Sequence, residues 1–170
     1  MKIITWNLNS RTNLETLNKQ CDYLKEQDLD LMTLQEVTLN SQEFFKNYFK
    51  NWNVLSSFDF VSDKSVLVKK RKYGQLIISK DPITPIEPFS SMPFPERLLS
   101  GHIKNKNIEI HPSHVPPGSS NGVIKVQHFE ELYKFLAKRK DIQKILTGDF
   151  NSPKLELETG EIITWGQKVS

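Results

Sequence analysis

Four short apolar runs, each followed at once by polar side chains, constrain most strongly how this chain can fold. The polar side chains that follow the runs are Asn7, Gln35-Glu36, His111 with His114, and Asp149 with Asn151. Short apolar runs of this kind are typical of buried strands, and layered α/β proteins bind ligands where the loops beyond several strand ends converge. The sequence therefore predicts that acid, amide and imidazole groups from four strands meet at one rim of the fold.

Helical periodicity predicts three helices between these strands. The first opens at a capping box, Thr12-x-x-Glu15, and the other two span residues 41–50 and 123–140. The side chains expected to face the core are Leu14, Leu17, Cys21 and Leu24 in the first helix, Phe44, Phe45, Tyr48 and Phe49 in the second, and Val126, Phe129, Leu132, Tyr133 and Leu136 in the third. The run at residues 29–34 is almost continuously apolar, which favours a strand buried on both faces, as inside a sandwich.

Composition excludes several classes of protein. A chain of 170 residues with 37% hydrophobic and 25% charged residues predicts one globular domain, residues 1–170. The sequence has no apolar run long enough for a transmembrane helix, and its one cysteine, Cys21, excludes an intrachain disulfide and fits a reducing, cytoplasmic compartment. A net charge of +3 permits a nucleic-acid partner without requiring one.

Three segments outside these strands and helices carry expectations, and the first of them leaves two interpretations open. The basic tract at residues 69–72, followed by Tyr73 and Gly74, is either a solvated hairpin tip or a finger that contacts a phosphate backbone. Residues 81–95 contain five prolines, which exclude a helix or a central strand and predict a long surface crossing. Residues 154–165 are expected to form a polar hairpin that turns at Thr159-Gly160.

Four ordered motifs resemble those of the endonuclease/exonuclease/phosphatase superfamily, which includes exonuclease III and deoxyribonuclease I. The motifs are Thr5-Trp6-Asn7-Leu8-Asn9-Ser10, Leu34-Gln35-Glu36-Val37, Ser113-His114-Val115-Pro116-Pro117-Gly118 and Gly148-Asp149-Phe150-Asn151-Ser152-Pro153. The resemblance runs from residue 2 to residue 153. It implies a four-layered α/β sandwich of the deoxyribonuclease I-like type, with a metal site at one edge.

The resemblance also implies a Mg²⁺ site, with Mn²⁺ as the alternative ion. Glu36 is the first expected ligand, and Asn7 and Asp149 are expected to share the metal shell. Mg²⁺ prefers oxygen ligands and usually retains several waters, so one or two protein carboxylates can suffice. A competing interpretation is a zinc pair formed by His111 and His114.

Further side chains are expected to act on the phosphate. Asp149 would orient or deprotonate the attacking water, and Asn151 would donate a hydrogen bond to a phosphoryl oxygen. His114 would donate to the phosphate and, when protonated, would stabilise the added charge. Asn7 would orient the phosphate, and Arg97 would neutralise it. For Glu96-Arg97 a plain surface ion pair is the alternative.

The sequence departs from the family pattern in two ways. Family members carry a late Asp-His pair, and no Asp-His dipeptide occurs here. We therefore expect the chain to be the N-terminal portion of a longer domain, with an exposed sheet edge that favours self-association. In addition, Val37-Thr38 and His114 stand where exonuclease III-type enzymes have Thr-Lys and Tyr, whereas Asn9 and Arg11 lie as in the repair enzymes. The subfamily stays open.

The leading functional expectation is a Mg²⁺-dependent phosphodiester hydrolase that cuts DNA as an endonuclease or exonuclease. One alternative is a phosphatase or phosphodiesterase that acts on a small phosphorylated substrate. A second alternative is a binding module that keeps the fold but has lost turnover with the missing Asp-His pair. No membrane partner is expected.

Overall fold

Two four-stranded sheets account for the strands that carry the predicted site. A computed structural model of the protein describes residues 1–61, 67, 73–87, 91–138, 141–153, 155–156, 158 and 162–163. In chain order the strands are β1 (Ile3–Asn7), β2 (Leu31–Thr38), β3 (Asn53–Ser56), β4 (Tyr73–Ser79), β5 (Thr84–Pro85), β6 (Gly101–Ile103), β7 (Ile108–His114), β8 (Gln143–Asp149), β9 (Leu155–Glu156) and β10 (Ile162–Ile163). The first sheet has the order β1-β2-β4-β3 and the second has the order β5-β6-β7-β8.

Three helices cover the outer faces of these sheets, and they are α1 (Leu14–Glu26), α2 (Leu39–Tyr48) and α3 (Gly118–Ala137). One buried cluster joins Cys21 of α1 and Phe45 of α2 to Leu34 of β2. A second cluster joins the two sheets. A third cluster packs α3 against Leu98 and Phe150, and Phe135 of α3 contacts His111 of β7 on the far side of the second sheet. The layers therefore follow the order helices, sheet, sheet, helix, which is the four-layered α/β sandwich predicted from the sequence.

The first two helices differ from prediction only in detail. Asn13, and not Thr12, caps α1, because its side chain accepts a hydrogen bond from the Thr16 backbone N–H. Leu14 is 65% exposed, since it lies in the first turn, before the helix meets the sheet, whereas Leu17 and Cys21 are buried. The expected aromatic face of α2 is confirmed, with buried Phe45 and Phe49 packed beside Phe44 and Tyr48. These aromatic rings are core, not a surface for stacking bases.

The predicted inner face of α3 is largely wrong. Leu132 is buried and Leu136 packs beside it, but Val126, Phe129 and Tyr133 are exposed. Periodicity identifies which side chains share a stripe, but it does not tell whether another layer covers that stripe. The contacts of the helix with the sheet instead include those of His128 with Ser113 and of Phe135 with His111, both of β7. The helix also begins earlier than expected and bends at Gly122, where φ is +23°.

Several other expectations are met in the described part of the chain. A short hairpin of β9 and β10 forms within residues 154–165, as expected. A further hairpin, between β6 and β7, turns at Asn107. The basic tract at residues 69–72 and the expected turn at 159–160 lie outside the described residues. None of the described helices combines the length and apolar character needed to cross a membrane.

Strand β8 lies at the edge of the second sheet in the described part of the chain, and its Leu146 is 40% exposed. Self-association through this edge stays a prediction.

Candidate metal centre

Two parallel strand pairs deliver the predicted polar side chains to the same rim. Strand β1 is parallel to β2, and β7 is parallel to β8, so in each pair the carboxyl ends lie side by side. His114 is the register partner of Asp149 at the end of the second pair. The two sheets meet near this rim, where the hydroxyls of Thr33 and Thr147 lie 2.9 Å apart in a hydrogen bond. Four strands thus converge, as the sequence predicted.

A bulge in β2 turns Glu36 out of the core. The pairing of β2 with β4 shifts between Leu34 and Val37, so β2 carries one extra residue there. Met32, Leu34 and Val37 all lie in the cluster beneath α1 and α2. Had the alternation continued unbroken, Glu36 would have pointed into that apolar cluster, and the extra residue instead gives this position to Val37. The bulge therefore frees the carboxylate of Glu36 for the rim.

Glu36, His114 and Asp149 form a cluster that could hold a metal ion. One potential ligand atom from each residue lies within 4.8 Å of the others. The distance between His114 Nε2 and Glu36 Oε1 is 3.7 Å. His114 is buried, whereas the two carboxylates are partly exposed, so the cluster faces solvent through its acids. Residues from β2, β7 and β8 thus meet although they are far apart in the sequence.

Asn7 contacts both acids of the cluster. Its amide nitrogen donates to Asp149 Oδ2 at 2.8 Å and to Glu36 Oε1 at 3.1 Å. Its amide oxygen accepts from the Asn9 backbone N–H at 2.8 Å, which fixes this orientation. The oxygen is therefore turned away from the cluster. The prediction that Asn7 shares the metal shell stays a prediction, because it requires the amide to rotate.

Ser10 is a site residue that the sequence does not single out. Its hydroxyl donates to Glu36 Oε2 at 2.9 Å. Ser10 belongs to the quoted motif and lies three residues after Asn7, but a serine in a polar loop gives no separate signal in the sequence. Only the spatial position of Glu36, which the bulge determines, shows why the hydroxyl matters.

The turn after β8 holds Asp149 and Asn151 in a fixed relation. The Val115 backbone N–H donates to the Asp149 carbonyl at 2.8 Å, and the Asn151 backbone N–H donates to Asp149 Oδ1 at 2.9 Å. The Asn151 amide nitrogen donates to the Val115 carbonyl at 2.7 Å. Lys125 of α3 donates to the Asn151 carbonyl at 2.8 Å. The Asn151 side chain thus supports the turn, and its predicted donation to a phosphoryl oxygen would use its second N–H.

The surroundings of His114 favour the neutral form of its imidazole. Burial lowers the pKa of its imidazole, and the positive charge of Arg97 lowers it further, while Glu36 and Asp149 oppose the shift. The expectation that a protonated His114 stabilises the added charge stays a prediction. A neutral ring can still donate one hydrogen bond or bind a metal ion through one nitrogen.

Arg97 lies near this site and not on the surface. Both Arg97 and Glu96 are buried, which excludes the alternative of a surface ion pair. The guanidinium lies over the ring of Phe94, with its carbon 5.1 Å from the ring centroid. Its positive charge contributes to the lowered pKa of His114, and its predicted role toward the phosphate stays a prediction.

His111 belongs to a different layer. It lies on the α3 side of β7, where Nδ1 pairs with the Ser100 hydroxyl at 2.9 Å and Nε2 lies 3.3 Å from Glu109. Its ring also contacts Phe135 of α3 edge-on. Residues three apart on a strand point to opposite faces, so His111 and His114 cannot bind one ion together. The zinc-pair interpretation is therefore wrong.

Backbone strain concentrates at the rim. Six non-glycine residues in the described part have positive φ, and four of them lie around this cluster: Asn9, Ser10, Glu36 and Asn151. Left-handed backbone destabilises most residues, and where it persists it tends to mark functional sites. Its concentration here supports a functional interpretation of the cluster over four unrelated turns.

Comparisons with known proteins agree with this geometry. The profile of the endonuclease/exonuclease/phosphatase family matches residues 4–162. An AP endonuclease from Archaeoglobus fulgidus is similar in structure, with a TM-score of 0.70 and 25% identity over 90% of this chain and 58% of the other. The 3′ phosphatase NExo from Neisseria, bound to a product DNA hairpin, gives a TM-score of 0.67 and 22% identity over 92% of this chain and 60% of the other.

A humanized TDP2 from D. rerio gives a TM-score of 0.65 and 14% identity over 89% of this chain and 66% of the other. No curated protein matches the sequence. The chain thus spans 58–66% of the length of these similar structures, and the prediction that the family domain continues beyond residue 170 stays a prediction. The family profile nevertheless covers most of the chain, and the strand order, the layers and the rim cluster fit one fold. The protein belongs to the endonuclease/exonuclease/phosphatase family.

Proposed function

We propose that the protein is a divalent-cation-dependent phosphodiesterase that acts on DNA. The observation that carries this proposal is the convergence of Glu36, His114 and Asp149 within 4.8 Å at the rim of the sandwich. Membership in a family of nucleases and phosphatases supports phosphoester hydrolysis. The NExo structure was obtained with product DNA, and this favours DNA as the substrate.

The donor set fits Mg²⁺ or Mn²⁺. Two carboxylates supply the oxygen ligands that both ions prefer. A cation bound there would polarise a phosphoryl oxygen and favour ionisation of a nearby water. The lowered pKa of His114 keeps a ring nitrogen available for binding or for hydrogen bonding. We propose Glu36 and Asp149 as the principal ligands, with Mg²⁺ as the physiological ion.

The other side chains are assigned to the substrate. Asp149 would hold the attacking water through the carboxylate that Asn7 and the Asn151 backbone already orient. His114 would donate a hydrogen bond to a phosphoryl oxygen from its neutral ring. Arg97 would attract the phosphate through its charge, as Asn151 would through its remaining N–H. Proton transfer to the leaving oxygen is not assigned to any of these residues.

A Glu36→Gln variant tests the cation site. It should reduce Mg²⁺ and Mn²⁺ affinity by at least about tenfold in calorimetric titration, because a neutral amide replaces a charged ligand. The melting temperature should stay close to that of the wild type, since the carboxylate lies outside the core. Glu15→Gln, an exposed acid on α1, is the matched control and should bind as the wild type does. Equal affinity of Glu36→Gln and the wild type would refute the assignment.

Substrate assays separate the remaining alternatives. The purified protein would be incubated with plasmid DNA, an abasic duplex and a p-nitrophenyl phosphodiester, each with Mg²⁺ or EDTA. Cleavage of DNA that falls steeply with salt supports a nuclease that contacts several phosphates, whereas weak salt dependence favours a small phosphorylated substrate. Cation binding without cleavage of any substrate would identify a binding module.

Three further predictions concern the whole molecule. We propose that residues 1–170 act as one domain, and that the protein lies in the cytoplasm, where the buried thiol of Cys21 stays reduced. We also propose that the edge at β8 allows self-association, which light scattering at increasing protein concentration would detect.

A further inference from the structure

Ser10 adopts a backbone conformation that a serine should avoid. Its φ is +54°, and that of Asn9 before it is +53°. Glycine adopts this left-handed conformation freely, and asparagine tolerates it, but serine is destabilised there. A serine at this position therefore costs stability that a glycine would not. Its side chain is the feature that can compensate for the cost.

The side chain of Ser10 contacts the carboxylate of Glu36, a proposed ligand of the cation. The hydroxyl donates to Glu36 Oε2 at 2.9 Å. Glu36 Oε1 accepts separately from the Asn7 amide at 3.1 Å and lies 3.7 Å from His114 Nε2. Each oxygen of the carboxylate thus has its own donor. Rotation of the carboxylate would break both hydrogen bonds.

The loop after β1 is built to present these two donors together. The Asn9 backbone N–H fixes the amide of Asn7, and the left-handed conformations of Asn9 and Ser10 bend the chain back so that the hydroxyl meets Glu36. Glu36 is itself left-handed, with φ of +54°, and the hydrogen bonds from Asn7 and Ser10 hold its carboxylate from outside its own strand. Hydrogen bonds to a ligating carboxylate commonly orient it and raise metal affinity.

We infer that Ser10 is a positioning residue for the cation site, acting through Glu36. Its hydroxyl holds Oε2, and Oε1 is thereby kept on the side of His114 and Asp149, where the cation would bind. This inference rests on the proposed function, since it assumes that the cluster binds a divalent ion. It predicts that loss of the hydroxyl weakens cation binding whether or not the backbone strain is lost with it.

Ser10→Gly separates the two effects. The variant removes the backbone strain that Ser10→Ala keeps, so Ser10→Gly should melt about 2–4 °C above Ser10→Ala, which lacks the same hydroxyl. It also removes the hydroxyl, so its Mn²⁺ dissociation constant, measured by calorimetry, should rise about tenfold. Ser10→Ala keeps the strain and loses the hydroxyl. Its cation affinity should fall by a similar factor without any gain in melting temperature.

Asn107→Gly is the matched control. Asn107 is also left-handed, with φ of +52°, but it lies in the turn before β7, away from the cluster. Its replacement by glycine should leave Mn²⁺ affinity unchanged and should not lower the melting temperature. A purely structural serine would behave like Asn107, because its replacement would change stability without changing cation affinity.

The outcomes distinguish this inference from the function on which it rests. If the wild type binds Mn²⁺, Glu36→Gln loses binding, and both Ser10 variants bind as tightly as the wild type, the role of Ser10 is refuted while the cation site stands. If the wild type and Glu36→Gln both fail to bind Mn²⁺, the cation site is refuted and the role of Ser10 falls with it. Weaker binding by both Ser10 variants, with Ser10→Gly more stable than Ser10→Ala, supports the inference.

Discussion

Replacing Gly148 with alanine should force apart the two strands that deliver His114 and Asp149. Gly148 is the register partner of Ser113 in the parallel pair of β7 and β8. A Cβ atom added to Gly148 would lie 1.8 Å from the Ser113 carbonyl oxygen and 2.8 Å from its carbonyl carbon. Both contacts are with backbone, so no side-chain rotation can relieve them. The φ of Gly148 is +133°, a region that alanine also avoids.

The magnitude follows from two separate costs. Overpacking against the fixed backbone costs about 1–3 kcal/mol, and a conformation reserved for glycine adds about 1–3 kcal/mol. We expect the free energy of unfolding to fall by about 4 kcal/mol in total, which is a large part of the stability of a domain this size. For a chain of this length the melting temperature should fall by about 8–16 °C.

Urea denaturation followed by tryptophan fluorescence measures the loss, and calorimetric titration with Mn²⁺ measures whether Asp149 has moved. Gly122→Ala is the control, because Gly122 has φ of +23° but a methyl group added there would meet no heavy atom within 4 Å. It should lose only about 1–2 kcal/mol, from backbone strain alone. If Gly148→Ala were no less stable than Gly122→Ala, the close approach of β7 and β8 would be wrong.

Three further predictions test the surrounding structure. His128 is buried against the Ser113 hydroxyl, and burial, with the charge of Arg97, lowers the pKa of His128 from 6.5 to about 4. His128 therefore binds a proton more tightly in the unfolded chain than in the folded protein. The free energy of unfolding should fall by about 3 kcal/mol as pH drops from 6.5 to 4. In urea titrations, His128→Gln should lose this part of the pH dependence. The hydrogen bond between Thr33 and Thr147 should give a coupling energy of about 0.5–1.5 kcal/mol in a double-mutant cycle with valine; zero coupling would show that the sheets are not joined there. Burial raises the pKa of the Cys21 thiol to about 12, so the native protein should react with a thiol reagent only after denaturant is added, and rapid native labelling would contradict its position in the core.

The positions of the strand ends could be predicted because they depend on local features. An apolar run followed by a polar residue identifies the end of a buried strand, and parallel pairing then places neighbouring ends together. Asn7, Glu36, His114 and Asp149 could therefore be assigned to one rim from the sequence alone. The four layers of the sandwich were predicted from the resemblance of the four motifs to the family, and not from local patterns in the chain.

The details that the sequence did not predict depend on distant parts of the chain. The bulge at Glu36 exists only because β2 pairs with β4, about 40 residues away, and no local pattern encodes that register. The role of Ser10 follows from that bulge, so it was missed for the same reason. The exposed face of α3 shows that a local pattern alone does not predict burial. Val126 and Tyr133 recur at helical spacing, yet nothing in the described part of the chain covers them.

The central claim is that a divalent cation binds between Glu36, His114 and Asp149. Anomalous diffraction from crystals soaked in Mn²⁺ tests this most directly, because it locates the ion without reference to activity. The account predicts one strong peak within about 2.5 Å of an oxygen from each of the two carboxylates and beside the imidazole of His114. A Mn²⁺ peak elsewhere on the protein, with none among these three side chains, would contradict it.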